Sequence, residues 1–429
     1  MAEFSAAVYQ NEYLPDGGTD VNAIVTITCA GAGTAGQGSA GDAGEIIIVD
    51  TSGSMGPDTM RAAIDGAKAA LDEIVDGTWF AVIAGADHAM LAYPQVSSGP
   101  GMVRMDERTR SEAKSAAERF VGSGGTAIST WLDLAGQLFS SISSVTQRHV
   151  LLLTDGENRE RPGKLDEAIR RATGYFQADC RGVGTDWQVA EVRRISEALL
   201  GTVDIIPGPA EMRAQFQEIM RASMARGVAD AKLRVWAPQG AQVLFVRQVS
   251  PTVEDLTDRR VEVNPLTGDF PTGGWADESR DYHVAVRVAA KAIGQEQLAA
   301  RVQLVVGNDI VTQGLVKARW SGDESLTTKI DQQVAHYTGQ TELAQAIQEG
   351  LAAKAAGDDE TATTKLGRAI QLAAQTGNDE ATAKLRKVVD VENEAEGTVK
   401  LKRTVEKADE MALDTASTKT TRIRRDTTS

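Results

Sequence analysis

Ile46-Ile47-Ile48-Val49-Asp50-Thr51-Ser52-Gly53-Ser54 couples four apolar residues to an aspartate and two alternating serines. A continuous run of β-branched aliphatics predicts a strand buried on both faces, as at the centre of a parallel sheet. Met60, Ile64, Ala67, Leu71 and Ile74 follow at helical spacing. The polar residues therefore stand where a buried strand turns into a helix. One carboxylate and two hydroxyls directed at one point are hard oxygen donors. They suit Mg²⁺, which prefers six oxygens and keeps part of its water shell.

Two further segments extend this pattern. Gly124-Gly125-Thr126 precedes a second helical pattern, and Leu151-Leu152-Leu153-Thr154-Asp155-Gly156 places another aspartate at the end of another buried strand. Strand candidates at 45–50, 79–84, 148–154, 177–183 and 202–206, with an edge strand near 89–93, alternate with helices. That alternation predicts a doubly wound, Rossmann-like α/β domain with a mostly parallel sheet. In such a sheet the strand-to-helix turns share one edge, where ligands bind, so Asp50 and Asp155 can meet. Each segment alone reads as a helix cap or turn. All three, in order and each beside the expected element, point to a metal cup.

The order D-x-S-x-S, threonine, aspartate resembles the metal-ion-dependent adhesion site (MIDAS) of von Willebrand factor A (VWA) domains. Asp50, Ser52 and Ser54 match its first part, Thr126 the second and Asp155 the third, with no departure. The likeness spans about residues 43–226, a little under half the chain. It implies one bound Mg²⁺ or Mn²⁺ with an open coordination position that takes a Glu or Asp from a protein partner. The expected role is non-enzymatic protein binding, with no catalytic residue. Two alternatives accompany it: an accessory subunit coupled to an ATPase, like the A-type subunits of metal chelatases, and a Mg²⁺-dependent hydrolase. His88, His149, His283 and His336 are scattered without triad or metal-ligand spacing. Glu157 and Asn158 fall beside the cup, where contact with a partner is their simplest role. Trp79 and Trp131 read as core or rim. No phosphate-cradling loop is present, and Gly182-Val183-Gly184 is too short for a dinucleotide fingerprint.

The 429 residues predict two or three domains. A net charge of −15 argues against nucleic acid or anionic lipid as partners. The only cysteines, Cys29 and Cys180, sit in apolar strand-like settings and read as buried reduced thiols. Residues 1–5 show neither a basic nor an apolar signal-peptide region, and no run is long enough for a membrane helix. A cytoplasmic protein is expected.

Residues 1–30 carry strands, the clearer one at 23–29, and 31–44 form a flexible Gly/Ala linker before the α/β domain at 45–226. Alternating apolar residues at 231–320 predict an antiparallel β-sandwich. The first strands are too few to fold alone, so they are expected to complete that sandwich, making the α/β domain an insertion. Inner-shell coat proteins of secretory vesicles show a similar layout, by analogy only. Residues 323–413 predict a helical bundle, with breaks at Gly357-Asp358 and Gly377-Asn378. Residues 414–429, rich in Ser and Thr with Lys419, Arg422, Arg424 and Arg425, read as a disordered basic tail. Thr418, Thr420 and Thr421 are its candidate phosphosites. Ile423 stands three residues after Thr420, a spacing that resembles ligands of forkhead-associated domains and implies a phosphothreonine reader as a second partner; a solvated, unmodified tail is the alternative.

Overall fold

Three N-terminal strands, β1 (Glu3–Gln10), β2 (Tyr13–Leu14) and β3 (Asp20–Ala30), precede the α/β region in a computed structural model of the chain, which describes residues 2–36, 42–95 and 101–423. The α/β region then runs β4 (Asp42–Asp50), α1 (Pro57–Glu73), β5 (Trp79–Gly85), β6 (Ala89–Tyr93), β7 (Val103–Arg104), α2 (Glu107–Ala117), α3 (Ile128–Ser140), β8 (Val145–Thr154), α4 (Lys164–Ala172), β9 (Gln177–Val183), α5 (Val189–Ala198), β10 (Val203–Ile206) and α6 (Met212–Met224). The sheet order is β10-β9-β8-β4-β5-β6, with β7 also on β5. The ladders from β10 to β5 are parallel, while β6 and β7 are antiparallel edges.

Ile46, Ile47, Ile48 and Val49 are fully buried, as a central strand covered on both faces requires. On one face Met60, Ala63 and Ala67 of α1 share a core with Phe216 and Met220 of α6 and with Ala113 and Ala116 of α2. On the other, α3, α4 and α5 follow one another and bury Leu132, Leu165, Ile169 and Ile195. β4 is flanked by β5 on one side and β8 on the other. The chain thus leaves β4 in one direction and later returns on its other side. That reversal opens a crevice at the carboxyl ends of β4 and β8.

The segment expected as a flexible linker is tied down where it is described. The Ala32 amide donates to Asp277 Oδ1 at 2.6 Å, the Ala35 amide donates to Met224 O at 2.8 Å, and Ala35 is buried. Small residues permit that approach: a side chain on Gly227 would place Cβ 2.0 Å from Ala32 O. Residues 37–41 lie outside the described residues.

After the α/β region come β11 (Val228–Trp236), β12 (Gln242–Ser250), β13 (Glu254–Asp255), β14 (Val261–Asn264), β15 (Thr267–Trp275), β16 (Ser279–Arg287), β17 (Glu296–Val306) and β18 (Asp309–Trp320). They form two sheets with the N-terminal strands, ordered β1-β3-β16-β12-β13 and β14-β15-β11-β17-β18-β2. The first strands are therefore integral to both sheets of a sandwich. The sheets approach closely: a Cβ on Gly314 of β18 would lie 2.6 Å from Val8 of β1.

The C-terminal region contains α7 (Glu324–Thr327), α8 (Gln332–Ala355), α9 (Asp359–Thr376), α10 (Asp379–Val388), β19 (Val389–Asn393), β20 (Thr398–Leu401) and α11 (Lys407–Ala416). Asp358 and Asn378 cap the amino ends of α9 and α10 through their side chains, and Gly377 ends α9 at φ 64°. Leu343, Ile347, Leu366, Ile370, Leu385 and Leu413 share the core with Val389 and Val399 of the β19–β20 hairpin. That hairpin departs from the all-helical bundle expected over 323–413.

The expected disordered tail is ordered as far as it is described. Residues 414–416 finish α11, and 417–423 run against the β12–β13 connection, joined by the Val253 amide donating to Thr418 O at 2.8 Å. Backbone pairing at a sheet edge orders a chain whose composition offers little to bury. Arg424 and Arg425 lie outside the described residues.

Candidate metal centre

Asp50 is the last residue of β4 and is completely buried. The Ser52 amide donates to its Oδ1 at 2.8 Å and the Thr154 hydroxyl to its Oδ2 at 2.7 Å. Both oxygens are thereby oriented. Thr154 ends β8, one residue before Asp155, so the β4–β8 pairing brings the two carboxylates to the same crevice. The hydroxyls of Ser52 and Ser54 are 2.8 Å apart, and Ser54 Oγ donates to Asp155 Oδ1 at 2.7 Å.

Thr126 joins them from the loop before α3. Two backbone bonds pin that loop to the β4–α1 turn: Gly53 N to Gly124 O at 3.0 Å and Ser123 N to Thr51 O at 2.8 Å. Gly124 has φ 75°, and a Cβ there would lie 3.1 Å from Asp87 Oδ1, so glycine is required. Gly156 gives the sharpest measure of convergence. A Cβ on it would stand 3.0 Å from Ser54 Oγ, 3.1 Å from Thr126 Oγ1 and 3.9 Å from Ser52 Oγ. The three hydroxyls therefore surround one small space, with Asp155 joined to it through Ser54 and Asp50 through the Ser52 amide.

Asp50, Ser52 and Thr126 are buried, Asp155 is half-buried and Ser54 is exposed, so the space opens on one side only. Burial raises the Asp50 carboxyl above its ordinary value against the Ser52 and Thr154 hydrogen bonds. Burial also pushes Asp155 up to about 6; the Ser54 bond opposes this, and the charges of Asp50 and Asp186 add to it. Two carboxylates, the charge of Asp50 raising the proton affinity of Asp155, form a site whose charge a divalent cation would balance. Among the described residues there is no group of three or more His, Cys, Asp or Glu arranged for a metal. The donor set here is two carboxylates and three hydroxyls, which fits a hard divalent cation such as Mg²⁺ or Mn²⁺.

Glu157, Asn158, Gln188, Ala190, Glu191 and Arg194 line an open cavity of about 390 Å³ formed by the β8–α4 loop and the start of α5. Asn158 is partly structural: its Oδ1 accepts from the Ile128 amide at 3.3 Å, while Glu160 accepts from the Ser129 amide at 2.9 Å. Together they cap α3 directly after Thr126. Neither cap was foreseen, nor was Thr154. Trp131 is core, with Nε1 donating to Ala86 O at 2.9 Å, and Trp79 donates to Asp42 Oδ2 at 3.1 Å.

His149 lies elsewhere in the sheet. One ring nitrogen is 2.6 Å from Glu45 Oε2 and the other 2.9 Å from Asp179 Oδ2, with all three residues buried. Burial disfavours the imidazolium, but the Glu45 and Asp179 carboxylates outweigh it and push His149 up to about 9. Burial likewise disfavours the Asp179 anion, yet Arg226 and His149 hold it well below the usual carboxylate range. Cys29 and Cys180 are both buried. No helix among the described residues is long and apolar enough to cross a membrane.

The sequence profile of the von Willebrand factor type A domain matches residues 46–157, and that of the von Willebrand factor type A C-terminal domain matches residues 371–417. The solved structure of a von Willebrand factor type A protein from Catenulispora acidiphila is 45% identical, covers 98% of this chain and 97% of its own, and superposes with a TM-score of 0.92. The fold extends to the ArnB paralog VWA2 of Sulfolobus acidocaldarius, at 15% identity, TM-score 0.56, and 97% and 98% coverage. It extends also to the human COPII-coat protein Sec24c, at 10% identity and TM-score 0.57 over 89% of this chain and 58% of that one. The vesicle-coat layout anticipated from sequence is thus found as a likeness of fold. An uncharacterized protein of Synechocystis sp. is 28% identical over 223 residues. The chain spans about half the length of that curated relative, 49%, and the match covers 49% of the chain itself. With near-complete coverage at 45% identity to the Catenulispora protein, and a type A profile over the metal cup, the chain belongs to the von Willebrand factor type A family.

Proposed function

We propose that this protein is a non-enzymatic binding module that captures an acidic side chain of a protein partner through a divalent cation. Domains of this family are generally interaction modules that use a metal at this position. The observation that carries the reading is the convergence of Ser52, Ser54 and Thr126 hydroxyls around Gly156, with Asp155 bonded to Ser54. Asp50, Ser52, Ser54, Thr126 and Asp155 would hold Mg²⁺ or Mn²⁺, directly or through water. The bound ion supplies a Lewis-acidic position for a partner's Glu or Asp carboxylate.

The chain's own groups favour binding over turnover. His149 is enclosed by Glu45 and Asp179, and His88 pairs with Asp87 at 2.7 Å. His283 faces Asn22 and His336 the Thr421 carbonyl, both in the other compact unit of the chain. Neither carboxylate of the cup, Asp50 or Asp155, is hydrogen-bonded to a histidine among the described residues. A cytoplasmic setting fits two buried cysteines far apart in the chain.

The test is a pull-down from cell extract with wild type and Asp50→Ala, each in Mg²⁺ and in EDTA. A partner retained only by wild type with metal supports the reading. Identical captures in all four conditions would leave the cup without a binding role, and turnover by the isolated chain lost in Asp155→Ala would favour the hydrolase.

A further inference from the structure

Residues 417–423 form a strap on the β-sandwich, and the strap uses the candidate phosphosites themselves. β13 pairs with Arg247 and Gln248 of β12, and among the described residues the connection between these strands, Pro251–Val253, is met by the strap. Thr252 and Lys419 make an antiparallel bridge, the Val253 amide donates to Thr418 O at 2.8 Å, and the Thr420 amide donates to Pro251 O at 3.0 Å. The Thr420 hydroxyl lies 2.7 Å from Val249 O and 3.0 Å from Pro251 O, sharing its single proton between two carbonyls. Thr421 Oγ1 accepts from Gln340 Nε2 of α8 at 2.8 Å, and its carbonyl faces His336 Nε2 at 2.7 Å. Arg422 closes the strap on Asp281 at 3.1 Å, a buried carboxylate that also accepts from Tyr337 at 2.5 Å and Thr26 at 2.6 Å.

We propose that Thr420 is a guarded phosphoacceptor: a protein kinase reaches it only when the strap lifts, and a phosphate on it keeps the strap from closing. The two states exclude one another for a chemical reason. A docked Thr420 must donate a proton to backbone carbonyls. A phosphothreonine has no hydroxyl proton and sets nearly two negative charges against the same carbonyl oxygens. The transfer moves the terminal phosphoryl of a nucleoside triphosphate to Thr420 Oγ1. A new P–O bond forms, the bond to the bridging oxygen breaks, the kinase's base takes the hydroxyl proton, and nucleoside diphosphate leaves. Release then presents phosphothreonine with Ile423 three residues on, an epitope unavailable while Thr420 and Thr421 face the sandwich and α8. Thr418 differs, since it holds the strap by its carbonyl and not by its hydroxyl, and it serves as the control.

The test uses the full chain with phosphothreonine incorporated at position 420 or, separately, at 418, and a Thr420→Val variant, followed by amide hydrogen exchange. The Val253 and Thr420 amides report the strap; α8 and α9 report the fold. Phosphothreonine at 420 is expected to speed exchange at Val253 by about tenfold or more, with α8 and α9 unchanged. Thr420→Val has a smaller effect and phosphothreonine at 418 less than about twofold. Val253 protected equally with and without phosphate at 420 overturns the exclusion. For the acceptor itself, a serine/threonine kinase chosen for phosphorylating the free peptide 415–429 at Thr420 is applied with ATP to the intact chain and to Arg422→Ala. Faster labelling of Arg422→Ala supports guarding. Equal rates overturn it, as does failure of every kinase in a broad panel to label the peptide at Thr420.

Discussion

Ser54 Oγ donates to Asp155 Oδ1 at 2.7 Å, joining two residues 101 positions apart across the crevice between β4 and β8. The bond holds a hydroxyl and a carboxylate together on the open side of the cup. It also occupies one of the Asp155 oxygens that a cation would need. Metal binding thus exchanges a hydrogen bond for coordination and should favour the folded state by mass action. Adding Mg²⁺ or Mn²⁺ to 100 times its dissociation constant should stabilise the fold by about 2.7 kcal/mol. Thermal unfolding against metal concentration measures this, and Asp155→Ala should abolish the dependence.

Thr154 is a positioning residue whose effect should be separable from that of the ligands. Its hydroxyl holds Asp50 Oδ2 at 2.7 Å, inside the sheet and away from the opening. Outer partners of this kind typically set affinity by 10–100-fold. Thr154→Val keeps the shape and the buried strand, so it should weaken metal binding by about that factor in a calorimetric titration. An unchanged affinity would mean that the Ser52 and Asp155 amides suffice to orient Asp50.

Gly156 offers a test that removes no ligand. The Cβ of Gly156→Ala would enter the space between Ser54 and Thr126 hydroxyls, 3.0 and 3.1 Å away. The five cup residues remain, yet the cavity for the ion is filled. Metal affinity is expected to fall at least about tenfold while the metal-free fold loses no more than about 1 kcal/mol, within the range of mild overpacking. Full metal binding by this variant would place the ion somewhere other than among these groups.

What sequence makes legible here follows from local geometry. β4 announces itself because a central parallel strand is apolar on both faces, and the D-x-S-x-S turn follows it directly. Thr154, by contrast, acquires its role only from the register that sets Val49 beside Leu153. The same holds for His149, which stands opposite Glu45 across β4 and β8, a pairing no spacing in the chain reveals. The tail misleads for another reason. Composition reports what a segment can bury, whereas residues 417–423 are held by backbone pairing and by Arg422 on Asp281. In β19, Val389-Asp390-Val391 alternates only after a helix has run into it, so its apolar residues merge with the preceding stripe.

The buried His149 should make stability fall at alkaline pH. Its folded value of about 9 lies above the ordinary 6.5 of histidine, because Glu45 and Asp179 outweigh burial. The stabilisation is therefore complete below about 6.5 and is lost as pH rises through about 9, in total on the order of 3 kcal/mol. Urea unfolding at several pH values should show this loss in wild type but not in His149→Gln. That variant should already be weaker at neutral pH by about 3–5 kcal/mol, the cost of breaking a buried ion pair. Parallel pH profiles for both proteins would show that His149 is neutral in the fold.

Gly85 links packing to the cup. It pairs with Asp50 in the β4–β5 ladder, its carbonyl accepts from the Thr51 amide at 2.6 Å, and Trp131 of α3 lies over it. A Cβ on Gly85 would stand 2.5 Å from Trp131 Cε2, inside contact distance, and Trp131 is fully buried with nowhere to retreat. Gly85→Ala must therefore push α3 outward, and α3 begins two residues after Thr126. The expected cost is about 1–3 kcal/mol of stability, typical of an overfilled core. Metal affinity should fall with it, because Thr126 moves while Asp50, Ser52, Ser54 and Asp155 stay. Trp131→Phe in the Gly85→Ala background replaces the clashing indole with a smaller phenyl ring and should recover metal affinity more fully than stability. Recovery of neither would mean that the alanine acts on β4 and Thr51 directly, not through the helix.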